Sequence, residues 1–207
     1  MRKSSLLPLL LLILSACGMA DDERVEDSKR RFITIADPAF EAYLLRTWDL
    51  DHDGRISYYE AERVLHIDCA GLGIESLYGT GNFTSLQTLD CSSNELTSLD
   101  VSRLLRLERL DCSRNELVLL RLGELRGLWL LDCADNRLDY LNLEYAGSLS
   151  DLDCANNRLT TLDISKCQPH MLSVDATGNE PLYLLYKGRN QLIDRLLLDG
   201  NVQIEER

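Results

Sequence analysis

The sequence predicts an α/β solenoid, a stack of about six rungs with parallel strands between a helical N-terminal cap and a small C-terminal cap. Three observations carry that expectation. The stretch Leu86 to Val101 recurs as Leu107 to Leu122, Leu128 to Leu143 and Leu149 to Ile164, each copy starting 21 residues after the last. Cys91, Cys112, Cys133 and Cys154 share one phase of that period, and Asn94, Asn115, Asn136 and Asn157 share another. Within each copy apolar and polar residues alternate, as in Leu89-Asp90-Cys91, which is the two-residue period of a half-buried strand. One such strand cannot bury its apolar side alone, but rungs stacked about 4.8 Å apart form a continuous core.

At the N-terminus, Arg2 and Lys3 precede an apolar run from Leu6 to Leu14 that is too short to span a bilayer as a mature helix. It ends in Leu14-Ser15-Ala16-Cys17, which resembles the lipobox of bacterial lipoproteins. The resemblance implies that residues 1–16 are a signal peptide and that Cys17 is lipidated. Gly18 follows in place of the Asp that marks inner-membrane retention in many such proteins, so the expected location is the outer membrane, on its periplasmic side or at the cell surface. Residues 17–31 carry Asp21, Asp22, Glu23, Glu26 and Asp27 and read as a solvated acidic tether. Removing Arg2 and Lys3 takes the formal charge from -12 to -14. That balance argues against nucleic acid and against an anionic membrane surface, leaving membrane contact to the lipid alone.

Residues 32–65 read as the N-terminal cap. Asp37-Pro38 starts a helix, with Asp as N-cap and Pro at the first helical position, and Phe40, Tyr43, Leu44 and Trp48 follow at helical spacing. The twelve residues from Asp49 to Glu60 resemble an EF-hand calcium loop, with Asp49, Asp51 and Asp53 at positions one, three and five, Gly54 at six, Ser57 at nine and Glu60 at twelve. The resemblance implies Ca²⁺ held by the three aspartates, the Arg55 carbonyl, Ser57 through water and a bidentate Glu60. Ile56 is expected to point into the core, and Tyr58 to Leu65 to form the exiting helix. No second loop is visible, so the ion's expected role is structural. Modules outside cells commonly bind calcium at about 10⁻⁴ to 10⁻³ M.

The repeats occupy residues 66–179. Leu-x-x-Leu-x-Cys-x-x-Asn-x-Leu at this period resembles the leucine-rich repeat, which implies a binding scaffold for a protein or peptide ligand on its concave face. Ile67-Asp68-Cys69 extends the ladder upstream, with Leu72 in place of the Asn, and Val174-Asp175-Ala176 with Asn179 extends it downstream. Successive inward cysteines stand too far apart for disulfides, so they read as buried thiols. Cys167-Gln168-Pro169-His170 is off phase and reads as a turn. After Asn179 the repeat phase is lost, and residues 180–207 read as a cap that blocks the last open edge of a monomer.

Two sets of residues face the presumed ligand. The column Asp68, Asp90, Asp111, Asp132, Asp153 and Asp175 repeats in every rung, so it carries no rung-specific information, and local hydrogen bonding is its favoured role. The variable columns hold Trp129 and Leu130 side by side, with Arg109 and Arg114 one rung away and Asp132 and Asp135 beside them, a composition that fits a partner-binding patch. The opposing reading has Trp129 folded over a neighbouring rung. Glycan or envelope-polymer binding and a purely structural surface lipoprotein are the alternative functions. Catalysis is not expected, because equivalent carboxylates on an open surface and three scattered histidines supply no acid, base or nucleophile pairing.

Overall fold

The structure is a computed structural model that describes residues 24–207; the expected signal peptide and the expected lipidation site Cys17 lie outside the described residues. Residues 24–30 are helical, so the second half of the expected tether is a short helix. Two contacts hold it there: Lys29 lies over the Tyr59 ring and Arg31 over the Tyr58 ring. None of the described helices is long and apolar enough to cross a membrane.

The chain is a parallel-strand solenoid. Strands β1 (His66–Asp68), β2 (Thr88–Asp90), β4 (Arg109–Asp111), β6 (Leu130–Asp132), β7 (Asp151–Asp153), β9 (His170–Asp175) and β11 (Leu192–Leu197) form one seven-stranded sheet in that order. The opposite wall is built from β3 (Ser98–Asp100) and β5 (Leu119–Arg121), then β8 (Thr161–Asp163), β10 (Leu184–Lys187) and β12 (Gln203–Glu206). Between these two sets, Leu141 and Leu143 fill the inward positions without a strand.

The stack is therefore seven strands deep, one more than the six rungs read from the sequence. Residues 180–207 do not form a separate cap. β11 pairs in parallel with β9, β10 with β8, and β12 with β10, which carries both walls one turn further.

The alternation of the sequence becomes the core. Ile67, Leu89, Leu110, Leu131, Leu152 and Val174 point inward and are at most 2% exposed. Burial of each such side chain contributes about 1.5–3 kcal/mol. Cys69, Cys91, Cys112, Cys133 and Cys154 fill the next inward position, fully buried and unbridged. Off-phase Cys167 is also a buried thiol.

The asparagines bind successive rungs together. Asn115 accepts the Leu96 N–H at 3.0 Å and donates to the carbonyls of Cys91 and Cys112 at 3.0 and 3.1 Å. Asn94, Asn136, Asn157 and Asn179 repeat the arrangement. Just before each of them the chain turns through positive φ, at Ser93, Arg114, Asp135, Asn156 and Gly178. At Gly178 a Cβ would collide with the Asn156 side chain, so glycine is required there for space as well as conformation.

At the N-terminal end one helix joins the core of the stack. Asp37 caps the helix Pro38–Trp48, accepting the Ala39 and Phe40 N–H groups with Oδ1. Its Oδ2 accepts Glu75 and Ser76 N–H from the first turn of the solenoid, which ties cap to stack through one carboxylate. Those four donors hold the Asp37 carboxyl below its ordinary pKa against the opposing cost of burial. Phe40, Leu44 and Ile56 are buried and belong to the same core cluster as Ile67 and Cys69. The exiting helix is one turn, Tyr58–Ala61, shorter than the sequence suggested.

Candidate functional site

The concave sheet carries the predicted partner patch, and the register shows which of its residues meet. Arg109 on β4 pairs with Leu130 on β6, and Leu130 with Asp151 on β7. The column continues to Ser173 and Arg195. Trp129 precedes β6, and the Arg109 guanidinium lies over its ring at 5.1 Å from the centroid. Trp129 and Leu130 are partly buried, and Arg109 is exposed. Trp129 thus lies against the neighbouring rung, as the opposing reading expected, while part of its ring stays accessible.

Arg114 and Asp135 lie beyond the strands, in the turns before the ladder asparagines. Arg114 Nε and Asp135 Oδ2 are 3.8 Å apart, both side chains largely exposed, so this pair contributes little to stability. Asp135 also accepts the Asn156 amide at 2.8 Å. Arg114 has φ 54, the left-handed region, which for a long side chain costs of order 1 kcal/mol or more.

The repeated aspartates have a local task. Asp90, Asp111, Asp132, Asp153 and Asp175 each accept the N–H two residues on, at Ser92, Ser113, Ala134, Ala155 and Thr177, all at 3.0 Å. These bonds turn the chain off the strand, so the column is structural first. It nevertheless stacks carboxylates in register from Asp90 to Asp175. Burial first, then the charges of Asp111, Asp153 and Asp135, push the Asp132 carboxyl up to about 6. Asp153 is raised too, by burial first and then by the charges of Asp175 and Asp135, with Arg195 opposing. Leu130, Asp132, Asp151, Asp153, Asp175 and Arg195 line one open concavity. Arg195 was not singled out from the sequence, because residues 180–207 were read as a cap.

The stretch expected to bind calcium brings together part of its expected ligand set. Carboxylate oxygens of Asp49, Asp51 and Asp53 lie within 4.8 Å of one another. Gly54, at φ 80, makes the sharp turn, and its N–H donates to Asp49 Oδ2 at 3.0 Å. Glu60 is placed differently. It is 4% exposed; Oε1 accepts Leu50 N–H at 2.7 Å, and Oε2 accepts the Ser57 N–H and hydroxyl at 2.8 and 2.7 Å. Ser57 and Glu60 are thereby spent on a capping box that starts the exiting helix. The three clustered aspartates fit a hard cation, whereas bidentate ligation by Glu60 would require it to release those donors.

No protein-family model matches the sequence, and no curated protein matches it. Among solved structures the chain is similar to the functional domain of InlJ from Listeria monocytogenes, described as including a cysteine ladder, with TM-score 0.60 and 26% identity over 80% of this chain. This chain spans 38% of that one. It is similar also to the internalin InlF of Listeria monocytogenes, with TM-score 0.45 and 16% identity over 81% of this chain and 64% of that one. The likeness to InlJ places the fold among the leucine-rich repeat solenoids, and the buried column Cys69 to Cys154 is this chain's own cysteine ladder.

Proposed function

We propose that this chain is a cell-envelope binding module whose concave sheet takes a protein or peptide ligand. It would be held to the outer membrane by lipid on Cys17 and stiffened at its N-terminal cap by calcium. The observation that carries the reading is the patch of Trp129, Leu130 and Arg109 on the open face of the sheet. The variable columns place a large apolar anchor there beside a cation, while the uniform Asp column is occupied in turning the chain. A suitable ligand presents an apolar side chain to Trp129 and Leu130 and basic groups to Asp132, Asp151 and Asp153. Glycan stacking is the weaker reading, since the Arg109 guanidinium covers ring surface that a sugar would use.

Affinity capture from native envelope supplies the test. Once a captured protein is identified, Trp129→Ala is expected to weaken its binding at least about ten-fold, as for a central aromatic anchor. An affinity unchanged within error would remove the patch from the interface.

Calcium is proposed as a structural ion bound by Asp49, Asp51, Asp53 and the Arg55 carbonyl, with Ser57 and Glu60 joining only if the capping box opens. With a dissociation constant of about 10⁻⁴ M, millimolar calcium would stabilise the fold by about 1.4 kcal/mol. The expected result is a melting temperature roughly 3–5 °C higher in millimolar calcium than in chelator. The difference should vanish in Asp51→Asn combined with Asp53→Asn. Identical melting in calcium and chelator would rule the ion out.

A further inference from the structure

Where the N-terminal segment meets the first turn, a cleft of about 510 Å³ lies against the wall opposite the seven-stranded sheet. Local bonding opens it. Residues 76–78 stand one 22-residue step before β3, which pairs with β5 of the next rung, but they do not continue that sheet. Asp37 Oδ2 takes the Glu75 and Ser76 N–H groups instead, at 2.8 and 3.2 Å. Past the bond from Glu95 N–H to the Ile74 carbonyl, no backbone hydrogen bond among the described residues joins this segment to β3. Gly79 then runs against the cap: its φ is 104, and a Cβ there would meet the Thr34 carbonyl oxygen at 2.5 Å, so only glycine fits. On the other side, the bridge between Phe32 and Ser57 and the bond from Tyr58 N–H to the Arg31 carbonyl at 2.9 Å fix Phe32 and Tyr58 in place. The volume lies within the roughly 300–1,000 Å³ of ligand pockets.

The lining selects a ligand by the groups it leaves uncommitted. Phe32, Tyr58 and the 66% exposed Tyr78 supply three aromatic rings. Several of the polar groups are already engaged. Asp100 accepts the Ser102 N–H and hydroxyl at 3.0 and 2.6 Å, Asn82 Nδ2 donates to the Gly79 carbonyl at 2.9 Å, and Ser76 Oγ accepts the Tyr78 N–H at 3.2 Å. Arg103 is the exception. It lines the cleft, is exposed, and makes no hydrogen bond or ion pair with the described residues. Two more guanidiniums lie over the rings, Arg31 over Tyr58 and Arg55 over Phe32, each 5.0 Å from the centroid. In a chain of formal charge -12, whose concave sheet stacks aspartates, this cleft is aromatic and cationic. An arginine without a carboxylate of its own takes one from outside, often through two parallel hydrogen bonds, and the rings receive an apolar side chain beside it. A sugar suits the cleft less well, because guanidiniums already lie over two of the three rings and the Asp100 carboxylate is engaged.

We infer that this cleft is a second binding site, which takes a partner's peptide segment in which an acidic residue adjoins an aromatic one. The aromatic side chain enters among Phe32, Tyr58 and Tyr78, and the carboxylate pairs with Arg103. The charge it selects is opposite to that proposed for the concave sheet, so the two walls of the solenoid recognise segments of opposite sign. The site does not depend on what the concave face binds.

Amide NMR titration of the full chain with the blocked tripeptide acetyl-Asp-Phe-Asp-amide tests the site. The Gly79, Gly81 and Ser98 resonances are expected to shift, while those of Leu130 and Asp151 on the concave sheet stay in place. The neutral counterpart acetyl-Asn-Phe-Asn-amide should bind the wild type at least about ten-fold more weakly, the loss expected when a charged hydrogen-bond partner is removed. Arg103→Gln should cost the acidic peptide the same factor and the neutral peptide nothing, whereas Tyr78→Ala should weaken both. Both side chains are exposed, so the variants are expected to melt with the wild type; should either fail to fold, the two peptides on the wild-type chain decide. No shift at Gly79 and Gly81 up to about 10 mM peptide, equal affinity for the acidic and neutral peptides, shifts centred on the concave sheet, or tighter binding of an N-acetylglucosamine trimer would each overturn the inference.

Discussion

Raising the pH from about 8 to about 10 is expected to unfold this chain, through its buried thiols alone. In the unfolded state a cysteine loses its proton near pH ~8.5. In the fold, burial pushes Cys69 and Cys167 up to about 12, and Cys91, Cys112, Cys133 and Cys154 are raised as well, again chiefly by burial. Above the unfolded value the native state therefore holds protons that the unfolded state has released. Stability is complete below that value, falls as the pH rises past it, and stops falling only at the folded values. Each thiol contributes a slope of about 1.4 kcal/mol per pH unit, and six buried thiols together give about 8 kcal/mol per unit. The slope does not depend on how far above 10 the folded values lie. Against a total stability of about 5–15 kcal/mol, one to two units suffice. Denaturant unfolding in reductant at a series of pH values measures it, and Cys112→Ala with Cys133→Ala should remove about a third of the slope. A stability that stays flat through this range, or a slope the double variant leaves unchanged, would refute the account. The same burial keeps these thiols from acting as nucleophiles, since the reactive form is the thiolate.

The features that read correctly from the sequence are those written at fixed covalent spacing. The cysteine and asparagine phases place the inward column and the ladder because a solenoid converts a 21-residue step into vertical stacking. Asp37-Pro38 marks the helix start by local capping alone. The seventh rung was written in the same code but less plainly. Leu196 follows Val174 by 22 residues and Asn201 follows Asn179 by 22, while Leu198 stands where the ladder has Cys or Ala. Asp199-Gly200-Asn201 therefore read as a turn, although Gly200, at φ 44, sits where Gly178 does one rung earlier. Non-local contacts had no such signature. The second task of the Asp37 carboxylate spans 38 residues to Glu75, and the diversion of Glu60 from metal ligand to capping box depends on competing donors at Leu50 and Ser57. In the candidate patch the neighbours along the chain were legible, but only the register and ring contact show that Arg195 closes the acidic strip and that Arg109 lies over Trp129.

Asn136→Ala is expected to cost about 3–5 kcal/mol, more than a surface polar group ordinarily contributes. The Asn136 side chain is 9% exposed and fully engaged: Oδ1 accepts Leu117 N–H at 2.9 Å, and Nδ2 donates to the carbonyls of Cys112, Cys133 and Ala134 at 3.0, 3.1 and 3.1 Å. Alanine leaves that N–H and those carbonyls to a space enclosed by the rungs on either side, and each buried group left unsatisfied costs about 1–3 kcal/mol. For a chain of this size the melting temperature should fall by roughly 10 °C. Asn201→Ala is the matched control. It occupies the same phase on the last rung, but it is exposed, and no further rung among the described residues stacks on it, so its loss should cost little. A loss below about 1 kcal/mol at Asn136, or equal losses at both positions, would mean that the rungs cohere by apolar stacking alone. The expected difference has a functional side as well. Asn136 holds the rung whose strand carries Leu130 and Asp132, with Trp129 just before it, so releasing its carbonyls loosens the patch where the ligand is proposed to bind. Ligand affinity should therefore fall in Asn136→Ala although Asn136 lines no part of that face, and it should hold in Asn201→Ala.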